Sequence, residues 1–259
     1  MIAEVKKVTV RYNGRTVGYL AQIEEGVIGF QYDDGWLKGG FSISPLSLPL
    51  HKEIFVCKKR QFNGLYGVFW DSLPDGWGEL LVKRYLAKQG INYDRLSPLT
   101  KLSLVGENGL GGLNYEPSQF AGESADTPDF DTLAREVNKV LNDENADDLD
   151  AVYRLGGSSG GARPKAHLRI DGEEWIVKFP CRIDPQDVGE LEYRANVAAR
   201  RCGIDVNEFC LFPSRLCSGY FGAKRFDRKA GKRLHVLSLA ALLEPTHRQP
   251  NLDYGHLFN

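Results

Sequence analysis

Six consecutive positions, Gly156 to Gly161, carry four glycines and two serines, and the run continues as Ala162-Arg163-Pro164-Lys165. Backbone this bare can turn its N–H groups toward one point and form a concave nest for phosphate oxygens. A glycine loop without a ligand is equally a flexible turn, so its neighbours must decide between the two readings. Residues 166–170, Asp171-Gly172 and residues 174–179 follow, the pattern of a β-hairpin closed by a tight turn. Lys178 lies thirteen residues beyond Lys165 on the second strand, within Trp175-Ile176-Val177-Lys178-Phe179-Pro180. An ammonium among apolar neighbours needs an anionic partner, because burying it unpaired is costly.

A helix is predicted over residues 188–202. Val188, Leu191, Ala195, Ala198 and Cys202 recur at spacings of 3, 4, 3 and 4, and Gly203 follows as a cap. Glu192, fourteen residues after Lys178, lies on the edge of that apolar face beside Leu191 and in line with Ala195 and Ala199, where it can point at the sheet. Glycine loop, strand, lysine, helix and glutamate in this order is the arrangement of protein kinases, in which the lysine grips nucleotide phosphates and the glutamate orients the lysine. The competing reading is a lysine alternating outward from a hairpin and a solvated glutamate. A P-loop NTPase is disfavoured, since the only Gly-Lys pair, Gly231-Lys232, is followed by Arg233 rather than Ser or Thr.

The rest of the chain organises around this segment. At 259 residues it exceeds the usual single-domain size of roughly 100–200, so two globular units are expected. Net charge is +3 over residues 1–115, −9 over 116–150 and +5 over 151–259, which marks an acidic connector. Within it Phe130, Leu133, Val137, Val140 and Leu141 fall at helical spacing, giving a lone helix. The first part opens with residues 5–10, Tyr12-Asn13-Gly14 and residues 17–23, a second hairpin. Further strands are predicted at 27–32 and 41–43, and a helix over 77–89 ends at Gly90. Beyond the 188–202 helix, strand-like runs at 209–212, 220–226 and 234–239 precede a short apolar helix.

The net charge of −1 gives no bulk attraction to DNA or an anionic membrane, so any nucleic-acid role is indirect. No run approaches the roughly 18 apolar residues of a membrane span, and the start has no signal-peptide core, so a cytoplasmic location is expected. Five scattered cysteines without a C-x-x-C pair argue against disulfides and a zinc site.

Several pieces together resemble one family over nearly the whole chain. They are Phe69-Trp70-Asp71-Ser72-Leu73-Pro74-Asp75-Gly76, Val105-Gly106-Glu107-Asn108-Gly109-Leu110-Gly111-Gly112, the loop from Ser158 to Lys165, Val177-Lys178-Phe179-Pro180, Arg225-Phe226-Asp227-Arg228, and Arg233-Leu234-His235-Val236-Leu237-Ser238. This ordered set resembles the HipA family of serine/threonine kinase toxins from bacterial toxin–antitoxin systems. The resemblance implies an α+β fold: a small amino-terminal subdomain (1–118), the acidic connector with its helix (119–150), and a kinase-like N-lobe of antiparallel sheet and one helix (151–259), with no C-lobe.

By the same resemblance Ser158 matches the autophosphorylated serine. Gly160, Gly161, Ala162, Arg163 and Lys165 form the nucleotide loop, Lys178 grips phosphate, Glu192 orients it, and Leu237, Ser238 and Leu239 form the adenine hinge. The implied cofactors are ATP and Mg. The implied partners are a HipB-like DNA-binding antitoxin or a separate kinase subunit, with DNA reached only through the antitoxin. Family substrates include aminoacyl-tRNA synthetases. The exposed aromatics and Pro74 of the first part are candidate antitoxin contacts.

The family's catalytic aspartate and metal-binding Asn and Asp have no match here. Only twenty-one residues follow Ser238, with Glu244 and Asp253 as their acids. His247-Arg248-Gln249-Pro250-Asn251 has Gln249 where a catalytic base belongs and its asparagine too early. Three readings follow: an amino-terminal fragment of a kinase, inactive alone; a stand-alone module docking on an antitoxin or kinase subunit; or a pseudokinase lobe that binds nucleotide weakly.

Overall fold

The computed structural model describes residues 2–57, 62–105, 109–119, 129–144, 146–244 and 255. The chain forms two compact units that interleave in sequence. The first comprises Met1–Leu73, Asp94–Phe120 and Lys229–Asn259, and the second comprises Pro74–Tyr93 and Ala121–Arg228. The class is mixed α and β with antiparallel sheets.

In the first unit β1 (Lys7–Tyr12), β2 (Arg15–Glu24), β3 (Val27–Tyr32), β4 (Phe55–Val56) and β5 (Leu113–Glu116) form one sheet in the order β4-β3-β2-β1-β5. The β1–β2 turn holds Asn13 at φ 46° and Gly14 at φ 79°, both left-handed as a two-residue hairpin of this type requires. Val8 and Val10 on β1 and Val17 and Leu20 on β2 point into the core with Phe30, Phe69 and Trp36. The short helices α1 (Asp34–Leu37) and α2 (Gly67–Trp70) and the helix α4 (Pro98–Ser103) belong to this unit, with Ser97 capping α4 through Thr100 N–H.

Residues 229–244 are wired into the same unit by polar contacts. Asn13 and Arg233 exchange side-chain-to-backbone hydrogen bonds of 2.9 and 3.0 Å. The buried Glu244 carboxylate accepts the Gly67 N–H at 2.8 Å.

The strands expected at 41–43 and 234–239 do not form. Their backbone groups are met by side chains instead of a ladder: Ile43 N–H donates to the Tyr32 hydroxyl at 3.1 Å, and Ser238 N–H to Asp71 at 2.8 Å. Leu239 instead opens helix α8 (Leu239–Leu243), capped by the Ser238 hydroxyl.

In the second unit β6 (Lys165–Ile170), β7 (Glu173–Lys178), β8 (Phe209–Phe212) and β9 (Tyr220–Lys224) form an antiparallel sheet in the order β6-β7-β9-β8. Asp171 at φ 51° and Gly172 at φ 82° make the β6–β7 turn. Helices α3 (Gly76–Ala87), α5 (Phe130–Leu141), α6 (Leu149–Gly156) and α7 (Val188–Arg201) complete the unit. The β10 (Arg228–Lys229) and β11 (Lys232–Arg233) pair forms a small ribbon that, from Lys229 onward, belongs to the first unit.

The connector helix α5 is not alone: it packs on α6, and α6 packs on α3. Leu133, Ala134, Val137 and Val140 form its buried stripe. Asp131 fixes it, accepting the Ser214 hydroxyl at 2.7 Å, the Tyr220 hydroxyl at 2.9 Å and the Arg215 N–H at 3.0 Å. Those donors, Ser214 first, hold its carboxyl far below the usual carboxylate range.

Candidate functional site

The glycine loop begins where α6 runs out. Ser159 N–H and hydroxyl both turn back to the Gly156 carbonyl, at 3.0 and 2.5 Å. The loop then lies against the start of α3. Trp77 N–H donates to the Gly161 carbonyl at 3.0 Å, and the Trp77 indole N–H donates to the Lys165 carbonyl at 3.0 Å. Gly161 N–H itself donates to the Asp75 carboxylate, and the Lys165 ammonium donates to the Gly160 carbonyl. Ser158 and Ser159 are both buried, and the Ser158 hydroxyl has no hydrogen-bond partner among the described residues.

The lysine and the glutamate meet. Lys178 on β7 forms an ion pair with Glu192 on α7, each side chain about a third exposed. The pair sits beside Phe221, whose ring centroid lies 5.5 Å from the ammonium. The outward-pointing lysine with a solvated glutamate is therefore not what the chain forms.

Across the β6–β7 ladder Lys165 stands opposite Lys178. Burial, then the Lys178 charge, push the Lys165 ammonium below its ordinary value, while Asp75 and Glu192 act in the opposite direction. Two ammonium groups, two carboxylates and a glycine loop thus occupy one end of this sheet.

Arg163, also in the loop, pairs with Asp184. The Asp184 side chain is nearly buried and also accepts the Cys181 N–H and thiol, both at 3.0 Å. Of the expected loop residues, Gly160, Gly161, Ala162, Arg163 and Lys165 lie together with Lys178 and Glu192 in the second unit. Leu237, Ser238 and Leu239 belong to the first unit, and there Asp71 takes both the Ser238 N–H and its hydroxyl, at 2.8 and 2.7 Å. An adenine base taking the Ser238 N–H would have to displace that carboxylate. Residues 106–108 and 245–254, which include the His247 to Asn251 stretch, lie outside the described residues.

Sequence reasoning gave no role to two groups, although Asp75 and the Arg225 to Arg228 run are among the pieces that carry the resemblance. Asp75 stands just before the helix expected from Trp77, and nothing local ties it to a loop 86 positions away. The second is a buried cluster where β9 ends, at the Glu174 end of β7 and not at the Lys178 end. Arg225 and Asp227, each with a side chain about 1% exposed, form a two-pronged pair at 2.9 and 2.6 Å, joined by Arg228 to Asp227 at 2.9 Å and to Glu174 at 3.1 Å.

The backbone N–H groups of the loop and the two adjacent lysines are the groups that could meet the phosphates of a nucleotide. For magnesium the fit fails among the described residues. The nearby carboxylates of Asp75, Asp184 and Glu192 are each engaged, and no group of three His, Cys, Asp or Glu side chains gathers to hold an ion. No helix among the described residues is long and apolar enough to cross a membrane.

A family model described as the HipA N-terminal domain matches residues 8–116, and one described as the HipA-like C-terminal domain matches residues 157–259. Among solved structures, the chain is similar to one in the toxin–antitoxin complex of HipA, HipB and operator DNA from Shewanella oneidensis MR-1. That match has a TM-score of 0.54 at 18% identity, over 88% of this chain and 53% of that one, so this chain spans about half the length of its structural relative. No curated protein matches it. Two domains of one family in the expected order, on a fold shared with a member of that family, make this chain a HipA-like protein.

Proposed function

We propose that the second unit is the phosphate-gripping lobe of a HipA-type serine/threonine protein kinase toxin. The Lys178–Glu192 pair beside the glycine loop is the observation that carries this reading. Glu192 holds the Lys178 ammonium in one orientation, so that it meets the phosphate oxygens of ATP as a fixed point charge. Lys165, opposite it in the ladder, supplies a second positive charge, and the N–H groups of Gly160, Gly161 and Ala162 supply the nest. Magnesium, when bound with ATP, would neutralise charge on the phosphates, and the described residues offer it no assembled ligand set.

Ser158 is the proposed site of self-modification. Its hydroxyl is buried and lacks a partner among the described residues, so a phosphate there requires the loop to open and would then fill the space that nucleotide oxygens need. Proton acceptance from a substrate hydroxyl belongs in the family to a separate helical lobe, for which the resemblance supplies no residue here. The 259-residue chain on its own is therefore expected to hold nucleotide without transferring phosphate. A HipB-like antitoxin is the proposed partner, supported by the complex in which the structural relative was solved. An aminoacyl-tRNA synthetase is the substrate class that the resemblance suggests.

Titration of the purified chain with a fluorescent ATP analogue tests the phosphate grip. Lys178→Ala is expected to weaken binding about tenfold or more, while incubation with radiolabelled ATP leaves no label on Ser158. Equal binding by the variant removes the lysine from the site. Label on Ser158 that disappears with Lys178→Ala shows transfer by the chain alone and overturns the inactivity proposed for it.

A further inference from the structure

Helix α3 starts in a way its own sequence does not account for. Asp75 occupies the N-cap position, where an aspartate ordinarily accepts a hydrogen bond from an amide in the first turn of its own helix. It makes no such bond. The carboxylate reaches out of the helix instead and accepts the Gly161 N–H.

The approach of the two backbones is close enough that glycine is needed on the helix side. A Cβ on Gly76 would lie 2.7 Å from the Gly161 carbonyl oxygen, and one on Gly78 would lie 2.1 Å from that of Ser159. On the loop side, a Cβ on Gly160 would meet Asp75 Oδ1 at 3.2 Å. Both N–H donors of Trp77 are spent on the same loop, the backbone one on Gly161 and the indole one on Lys165. The Lys165 ammonium is meanwhile folded back onto the Gly160 carbonyl.

Resting on the nucleotide reading above, we infer that Asp75 is an internal anion that latches the glycine loop shut and must give up the Gly161 N–H before a phosphate oxygen can take it. The Gly161 N–H has one proton to donate, so carboxylate and phosphate exclude each other there. Two anions crowded against one amide would also repel. While no ligand is present the carboxylate keeps that N–H paired. Apparent affinity for a phosphate ligand is then lowered by the fraction of chains in which the latch is closed. This makes Asp75 a regulator of entry that lies on a helix remote in sequence from the loop.

Two measurements on the full chain test it. In hydrogen exchange followed by mass spectrometry, peptides spanning the glycine loop of Asp75→Ala are expected to exchange about tenfold faster than wild type, with the β8 and β9 peptides unchanged as a control for folding. Unchanged exchange of the loop overturns the latch. In calorimetric titrations with MgATP and with inorganic tripolyphosphate, Asp75→Asn, which keeps an acceptor oxygen but removes the charge, is expected to bind about fivefold tighter or more. Equal or weaker binding by the variant overturns the competition while leaving the nucleotide reading intact. Binding of neither anion by either protein overturns both together.

Discussion

His235 sits largely buried in the first unit with its Nε2 donating to the Ile43 carbonyl at 2.8 Å and its Nδ1 without a partner among the described residues. A carbonyl only accepts, so this tautomer carries its proton on Nε2. Burial pulls the imidazole below its ordinary value of 6.5. The folded state therefore binds this proton less readily than the unfolded state. The stabilisation is complete above the unfolded value and is lost as pH falls through the folded one. Melting temperature is expected to decline as pH drops from about 7 to about 5, and His235→Gln, which keeps an N–H for Ile43, should flatten that decline. Identical pH profiles for the two proteins in thermal melts would remove His235 as the cause.

At this same scale the lysine and its glutamate were legible in the sequence, because each stands in a regular element whose spacing fixes the side to which it points. Asp75 was not. Its role depends on a contact between distant parts of the chain, and an aspartate before a helix reads as an ordinary cap.

Elements with local signals came through intact. Asn13-Gly14 and Asp171-Gly172 adopt the left-handed angles their hairpins need, and Gly90 and Gly203 close α3 and α7 with φ of 73° and 80°. The strands read at 41–43 and 234–239 did not form, since a short apolar run carries no record of whether a neighbouring strand exists to pair with it. Helix α6 is short and runs directly into the glycine loop, so its sequence carries only a short helical signal, and β4 is only two residues long.

Helix α3 yields the sharpest prediction at this level. Gly78→Ala places a methyl 2.1 Å from the Ser159 carbonyl oxygen, a backbone atom that cannot swing aside. The substitution is expected to destabilise the second unit by roughly 2 kcal/mol in chemical denaturation, although alanine favours a helix. A neutral or stabilising result would mean that the loop does not rest on the helix.

Across the whole molecule the two units trade segments. The first recovers residues 229–259 from the far end of the chain, while the second takes helix α3 from the early part. A charge profile could find the acidic stretch but not this exchange, which contacts distant in sequence determine. Cutting the chain after Arg228 would leave the sheet and helices of the second unit complete. It would strip the first of Glu244, Ser238 and Arg233, stranding the Gly67 N–H and the Asp71 carboxylate. The cut is expected to lower the stability of the first unit by roughly 3 kcal/mol or more, with little change in the second. Hydrogen exchange resolved to peptides of each unit checks this, and equal loss in both would count against independent cores.

The opposition of Lys165 and Lys178 across their ladder has one more consequence. Like charges directly opposite each other weaken a strand pair, so this hairpin is held at less than its full pairing strength by its own side chains. A polyanion settling between them would turn mutual repulsion into shared attraction, and the sheet that receives the guest would become firmer for having received it.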